Sequence, residues 1–227
     1  MTGNQIAAAV STVLVSGADR VLALGVLHGA RRADRERVAA ARCGDATALD
    51  ALRGVHDEEG LASEEFSLDA FVEMLSLATE RSGRAIDVVR RYPFLVGAAP
   101  ATLPGLDELE DLVADGAVLV ATTDPIHHGH AYDTAPADCL DPDEPQTMAT
   151  ARAAVDDQLA ALSDQRFADF QAITERDHSD FRDTGPVLAH LVGAGFEPTV
   201  HQLALVDYAE VLDAAHPSWV AGALVTV

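Results

Sequence analysis

The chain has 227 residues, 48% of them hydrophobic, which is enough for the core of a globular protein that we predict to be a single domain over residues 1–227. Its 15 basic residues are all arginine and stand against 37 acidic residues, so the formal net charge is −22. Such a charge repels phosphate backbones and anionic headgroups, which excludes nucleic acid and membrane surfaces as expected partners. An acid excess without lysine indicates a halophilic protein or a GC-rich genome.

In chain order, apolar periodicity predicts helices that alternate with buried strands. The first half is predicted to contain a helix at 5–14, a strand at 20–27, a surface excursion with short helical pieces at 31–60, a helix at 68–78, a strand at 85–89 with an extended continuation at 92–97, and a helix at 106–114. The second half is predicted to contain a strand at 116–122, a loop or lid at 133–146, helices at 147–162, 166–173 and 184–192, and strands at 200–206 and 220–227. This alternation predicts an α/β fold, a layered sandwich whose central, mostly parallel or mixed sheet is flanked by helices.

Cysteine usage and hydropathy predict a cytoplasmic location. Cys43 and Cys139 form no C-x-x-C pair, which supports neither a zinc knuckle nor a disulfide framework. The apolar stretch at 6–15 follows no basic residue and is interrupted by polar ones, which argues against a signal peptide. No apolar run approaches the roughly 18 residues that a membrane span requires.

Two strand exits carry the residues with metal-binding chemistry. The first strand ends in Leu27-His28-Gly29, and the strand at 116–122 is followed by Asp124, His127, His128 and His130. Ligands collect at the carboxyl ends of strands in such sheets, so we expect His28 and His127 to come from neighbouring strand ends and to reach one ion. Imidazole and carboxylate together suit iron, zinc, copper or manganese. The alternatives are a solvated histidine-rich loop and a partly buried His28 without a ligand role.

Several motifs follow one another in the order found in a known family. Thr2-Gly3 with Ala7-Ala8-Ala9 is similar to a Tyr-Ser-Gly, alanine-rich helix, and Leu24-Gly-Val-Leu-His28 to a strand that ends in Leu-Gly-Pro-Ser-His-His. Thr122-Thr-Asp-Pro-Ile-His-His-Gly129 resembles Ser-Ser-Asp-x-x-His with a glycine one residue on. Gly185-Pro-Val187, Tyr208 and Val220–Leu224 are similar to a Gly-Pro-Ile helix, a tyrosine-bearing strand and a terminal Val-Val-Gly-Tyr-Ala strand. The chain therefore resembles the MEMO proteins, relatives of the class III extradiol ring-cleavage dioxygenases.

The resemblance implies a metal-dependent oxidoreductase of dioxygenase type that acts on a small-molecule substrate. Its metal ligands would be His28, Asp124 and His127, and its cofactor a divalent transition metal, iron first, with zinc or copper as alternatives. His127 would serve as the catalytic acid or base, and Asp124 would hold its tautomer. A homo-oligomer is left open.

Other family positions carry different residues in this chain. The family's Pro-His-Ala-Gly-Tyr strand would lie before Met1, Phe66 stands where the family's Glu-His-Ser-Ile-Glu motif has its histidine, and a family cysteine falls near Arg182. Arginine has no acceptor atom and is not a metal ligand. The alternative function is therefore a non-catalytic MEMO-like binding or scaffold protein that has lost the family metal site.

The enzyme hypothesis requires other residues of the chain to replace the family metal ligands that are missing. The candidates are His128, His130, His178 and Asp180. A carboxylate such as that of Asp180 in place of the family's cysteine would harden the site toward iron or manganese, and two histidines with one carboxylate are the arrangement of non-haem iron oxygenases. The competing interpretation is that Asp180 is solvated and that Asp183 caps a helix beginning at Thr184.

Overall fold

Helices and strands alternate along most of the chain in the computed structural model, which describes residues 3–28 and 34–227. The helices are α1 (Gly3–Ser16), α2 (Arg35–Arg42), α3 (Ala46–Leu52), α4 (Asp69–Ser82), α5 (Leu106–Ala114), α6 (Pro145–Ser163), α7 (Phe167–Arg176) and α8 (Phe181–Val192). The strands are β1 (Arg20–Leu24), β2 (Gly54–His56), β3 (Asp87–Phe94), β4 (Val118–Ala121), β5 (Ile126–Gly129), β6 (Thr199–Asp207) and β7 (Ser218–Thr226). Thr2, Gly29 and residues 31–33 of the predicted surface excursion lie outside the described residues.

The first sheet has four strands in the order β2-β3-β1-β4. β1 runs parallel to both β3 and β4, and the short β2 pairs antiparallel with the end of β3, where Val55 faces Pro93. Residues 21–24 of β1 are completely buried, as expected of a continuous apolar strand in the middle of a parallel sheet. The sheet is mixed, which confirms the predicted fold class.

Helices cover both faces of this sheet because successive residues of β1 point to opposite sides. Val21 and Ala23 enter a core that α1 and α4 complete, whereas Leu22 and Leu24 enter a core formed with α5 and α8. The result is the layered sandwich that the sequence predicts. Among the described residues, none of the helices is long and apolar enough to cross a membrane.

A second sheet, wholly antiparallel, has the order β5-β7-β6. Helices α6, α7 and α8 pack against it in a third core. Two of its strands, β6 and β7, were predicted, but β5 was not: residues 126–129 were expected to be an exit loop. That expectation is wrong because Ile-His-His-Gly shows little hydrophobic alternation, and its pairing with β7 comes from a strand about 90 residues away.

Candidate metal centre

Two chain segments lie side by side at the candidate centre: the connection from β4 into β5, and the link between α7 and α8. The main-chain N–H of His127 donates to the carbonyl of Asp177 at 3.1 Å, and the N–H of Asp180 donates to the carbonyl of Asp124 at 3.1 Å. These bonds fix the position of Asp180 relative to Asp124 and His127. The chain thereby brings together residues that are more than 50 positions apart in sequence.

Gln158, a buried residue of α6, hydrogen-bonds to both of these segments. The Gln158 amide nitrogen donates to the carbonyl of Pro125 and to the carboxylate of Asp177, both at 2.9 Å. Gln158 is only 1% exposed. It is therefore a positioning residue for the centre, and the sequence offered no signal for it beyond a polar residue in an apolar helix face.

Asp124, His127 and Asp180 form the group that can hold a metal ion. Each offers one ligand atom, and these three atoms lie within 4.8 Å of one another. All three residues are half-buried, and the Nε2 atom of His127 lies 3.5 Å from an Asp180 carboxylate oxygen. One imidazole and two carboxylates form a hard, oxygen-rich donor set suited to a divalent transition metal.

The His127 ring is held in one orientation by the backbone. Its Nδ1 lies 2.7 Å from the carbonyl oxygen of His178, and because a carbonyl only accepts, Nδ1 carries the proton. Nε2 is then the ring atom left to face the Asp180 carboxylate. His178 adopts a left-handed conformation with φ 48°, which costs on the order of 1 kcal/mol for a residue with a side chain. In this conformation the carbonyl of His178 is oriented toward the His127 ring.

His28 contacts Asp180 but does not belong to the metal-binding group. Its Nε2 lies 3.1 Å from Asp180, and its Nδ1 lies 3.0 Å from Glu65. Burial alone would lower the pKa of His28, but the bonds to the two carboxylates outweigh burial and raise it to about 10. His28 is therefore an imidazolium at neutral pH, with both ring nitrogens donating. That His28 is a metal ligand stays a prediction.

Glu65 binds both the ring and the main chain of His28, and it was not predicted as a site residue. Its side chain is 1% exposed, and it accepts the main-chain N–H groups of His28, Phe66 and Ser67 in addition to the His28 ring. Burial would raise its pKa, but the bonds from His28 and the backbone hold the pKa below its usual value. A signal for Glu65 lies in the Glu65-Phe66-Ser67 motif, because the glutamate matches the first residue of the family's Glu-His-Ser-Ile-Glu motif.

Asp180 is the member of the group that links it to His28. Burial would raise its pKa, but the hydrogen bond from His28 and the positive charges nearby hold the pKa below its usual value. Asp180 therefore stays ionised at neutral pH. Among the candidate replacement ligands, it is the one that the structure brings to Asp124 and His127.

Asp183 does not cap a helix beginning at Thr184. The helix starts earlier, at Phe181, and the hydroxyl of Ser179 accepts the Phe181 N–H. The Asp183 carboxylate instead accepts the N–H of Val96 at 2.9 Å. The competing interpretation of Asp183 as a cap is therefore wrong, because several polar residues precede the apolar helix face and sequence alone does not rank them.

His128 points away from the centre because it is the next residue of the same strand. Its ring stacks on Trp219 at 4.6 Å between centroids, and its Nε2 accepts the N–H of Leu140 at 2.8 Å. The Trp219 indole donates to the carbonyl of Leu140, so both main-chain groups of Leu140 are held. Burial lowers the pKa of His128, as expected of a ring whose lone pair accepts a hydrogen bond. His130 lies exposed in a 3₁₀ turn.

Gly129 ends β5 in a close approach to β7. Its φ is 106°, and a Cβ atom added there would lie 2.0 Å from the carbonyl oxygen of Pro217. A residue with a side chain cannot occupy this position without displacing the backbone of the neighbouring strand.

Tyr132 closes one side of the centre. Its ring lies 4.8 Å from that of His127. Burial, together with the negative charges of Asp124 and Asp180, raises its pKa to about 12. The hydroxyl therefore keeps its proton at neutral pH and is a hydrogen-bond donor beside the candidate ligands.

No protein-family model, curated protein or solved structure was found to match the chain. The resemblance to the MEMO family therefore stays a prediction that depends on the sequence motifs alone.

Proposed function

We propose that the chain is a metal-dependent enzyme of the MEMO and class III extradiol dioxygenase superfamily that acts on a small molecule, with Asp124, His127 and Asp180 as metal ligands. The observation that supports it most directly is the His127 ring. It donates Nδ1–H to a backbone carbonyl and turns Nε2 toward two carboxylates. Metal-ligating histidines in proteins are oriented by the same kind of outer bond.

The donor set favours iron, with manganese or zinc as the next candidates. Two carboxylates and one imidazole are harder than the two-histidine, one-carboxylate set expected from the sequence, so copper, which favours softer or nitrogen-rich sites, ranks lower. When bound, a divalent ion of this kind supplies Lewis acidity and binds a substrate oxygen.

The residues around the ligands have their own roles in this proposal. His28 and Glu65 fix the Asp180 carboxylate and keep it ionised. Tyr132, protonated at neutral pH, is placed to donate a hydrogen bond to a substrate oxygen beside His127. His127 donates Nδ1–H to the His178 carbonyl, which leaves its Nε2 as the atom that would bind the metal.

Metal content tests the ligand assignment. We expect untagged protein to retain a stoichiometric transition metal, measured by mass spectrometry, and to lose it in His127→Ala. Asp124→Asn and Asp180→Asn should each give an intermediate loss, because asparagine keeps the shape and one acceptor but removes the charge. His128→Ala should retain the metal, since that ring faces Trp219. His201→Ala and Asp156→Asn, two remote and exposed substitutions, are the matched controls.

A second measurement separates an enzyme from a structural metal protein. Loaded anaerobically with Fe²⁺, the protein should bind nitric oxide and give the corresponding electron paramagnetic resonance signal, because a catalytic site keeps an open coordination position. Metal retention without nitric oxide binding would point to a closed structural site. Absence of metal, with the variants unchanged, would leave His28, Asp180 and His127 as an ion-paired cluster in a non-catalytic binding or scaffold protein.

A further inference from the structure

Two arginine side chains converge at the end of β3. The guanidinium of Arg42, the last residue of α2, lies over the Phe94 ring with its Cζ atom 5.6 Å from the ring centroid. Arg182 lies in the first turn of α8, and its Nε is 3.9 Å from the Asp183 carboxylate. That carboxylate accepts the N–H of Val96 at 2.9 Å, so both arginines reach the same strand end.

This strand end adjoins the candidate metal centre. The Gln171 amide nitrogen donates to the carbonyl of Arg182 at 2.8 Å and to that of Gly97 at 3.5 Å, which ties the start of α8 to the end of β3. Arg182 is two residues after Asp180, and the positive charges of Arg42 and Arg182 both interact with the Asp180 carboxylate. The two arginines therefore lie within electrostatic reach of a candidate metal ligand.

The two guanidinium groups repel each other and are incompletely neutralised. Partial burial first, and the positive charge of Arg182 second, lower the pKa of Arg42. Within residues 3–28 and 34–227, Arg42 forms no ion pair, and Arg182 has only the long contact with Asp183. Asp183 neutralises at most one of the two charges, so at least one positive charge is left over in a protein whose net charge is −22.

Like charges held close together are costly, and an anion between them removes the cost. We propose that Arg42 and Arg182 bind the carboxylate of a small organic acid. The planar guanidinium fork matches the two oxygens of a carboxylate. A carboxylate carries the single negative charge that the arginines leave unmatched, whereas a phosphate dianion would meet stronger repulsion from Asp183 and Asp180.

The anion site itself requires no metal, but the role of the acid as the substrate rests on the function proposed above. In that function the carboxylate anchors the substrate, and the reacting part of the molecule extends toward Asp180. The inference therefore names a substrate class, a small carboxylic acid.

Four butyl probes test the site in metal-free protein, which is used because carboxylates also bind metal ions. The probes are butyrate, 1-butanol, butylamine and butyl phosphate, titrated at constant ionic strength and followed through the arginine Nε–H signals in ¹⁵N NMR. Butyrate should shift the signals of Arg42 and Arg182, and the neutral and cationic probes should not. No shift with butyrate, equal shifts with 1-butanol, or tighter binding of butyl phosphate would overturn the proposal.

Substitutions of single arginines locate the bound carboxylate. Arg42→Gln and Arg182→Gln should each weaken butyrate binding at least about 10-fold, as expected for the loss of a charge-assisted hydrogen bond. Arg81→Gln is the matched control: it changes the net charge equally, but Arg81 lies in the last turn of α4, before the start of β3, and binding should be unchanged. Arg42→Lys keeps the charge without the planar fork and should give an intermediate loss, so it tests the site even where Arg42→Gln does not fold. Undiminished binding in the Arg42 and Arg182 variants, or an equal loss in Arg81→Gln, would overturn the proposal.

Metal content of the same protein separates this inference from the proposed function. Butyrate binding through the two arginines, in a protein that retains no transition metal when purified, would support the anion site and contradict the enzyme proposal. Retention of the metal without butyrate binding at the two arginines would overturn this inference alone.

Discussion

Replacing Gln158 by leucine tests whether one buried amide holds the candidate centre together. The substitution keeps a side chain of roughly similar size but removes the donor to Pro125 and Asp177. A buried carbonyl left without a partner costs about 1–3 kcal/mol, and a lost bond to a charged carboxylate about 1.5–3 kcal/mol. Asp177 keeps its ion pair with Arg176, and leucine adds apolar burial, so we expect a net loss of about 2–4 kcal/mol in the free energy of unfolding.

Urea unfolding followed through the single tryptophan, which is buried, measures this loss. Gln146→Leu is the matched control, because it lies on the same helix but is exposed. Metal affinity should fall by about 10- to 100-fold in Gln158→Leu, as is typical when an outer positioning group is removed. A free energy of unfolding within about 0.5 kcal/mol of the control, with metal affinity unchanged, would refute this reasoning.

Three further predictions concern other parts of the molecule. His178→Gly should retain the metal, because the centre uses the carbonyl of this residue and glycine adopts its left-handed conformation freely; loss of metal would assign a role to the ring itself. The net charge of −22 makes the acidic side chains repel one another, and added KCl weakens this repulsion because the screening length falls from about 30 Å at 0.01 M to about 3 Å at 1 M. The thermal midpoint should therefore rise with added KCl, and a flat response would contradict the halophilic interpretation. The hydrogen bond to Asp207 raises the pKa of the exposed His216, so the pair stabilises the fold below the unfolded pKa of histidine and this contribution is lost as pH rises through the folded pKa. Proton NMR titration should show the His216 pKa returning toward its ordinary value in Asp207→Asn, and an unmoved pKa would contradict the pairing.

The fold class was predictable because its signals are local. β1 and β4 are apolar runs, and α5 begins and ends at Leu106 and Ala114 as its amphipathic pattern predicts. The same logic missed β2 and β5, which have three and four residues and owe their structure to distant partners. The single-domain organisation stays a prediction.

The candidate site was predictable in part for the same reason. Asp124 and His127 stand three residues apart, so their proximity follows from sequence spacing. Asp180, Gln158 and Glu65 reach the centre through tertiary contacts, and the sequence marked only Asp180, as one candidate among four. We also expected His128 to point away from His127, since it is the next residue along, and its stacking on Trp219 agrees with this.

The strand β5 carries two adjacent imidazoles, and the register of its pairing with β7 decides which of them lies beside Asp180. If the pairing of β5 with β7 shifted by one residue, every side chain of β5 would point to the opposite face. His128 would then lie where His127 lies now, and His127 would lie on the side of Trp219. Ile126 is the only large apolar side chain of this four-residue strand, too little to hold the register alone. Gly129 supplies a fixed point, because only a residue without a Cβ atom can lie against Pro217. Gly129, which is not one of the candidate metal-binding residues, thus determines which of two chemically identical side chains lies beside Asp180.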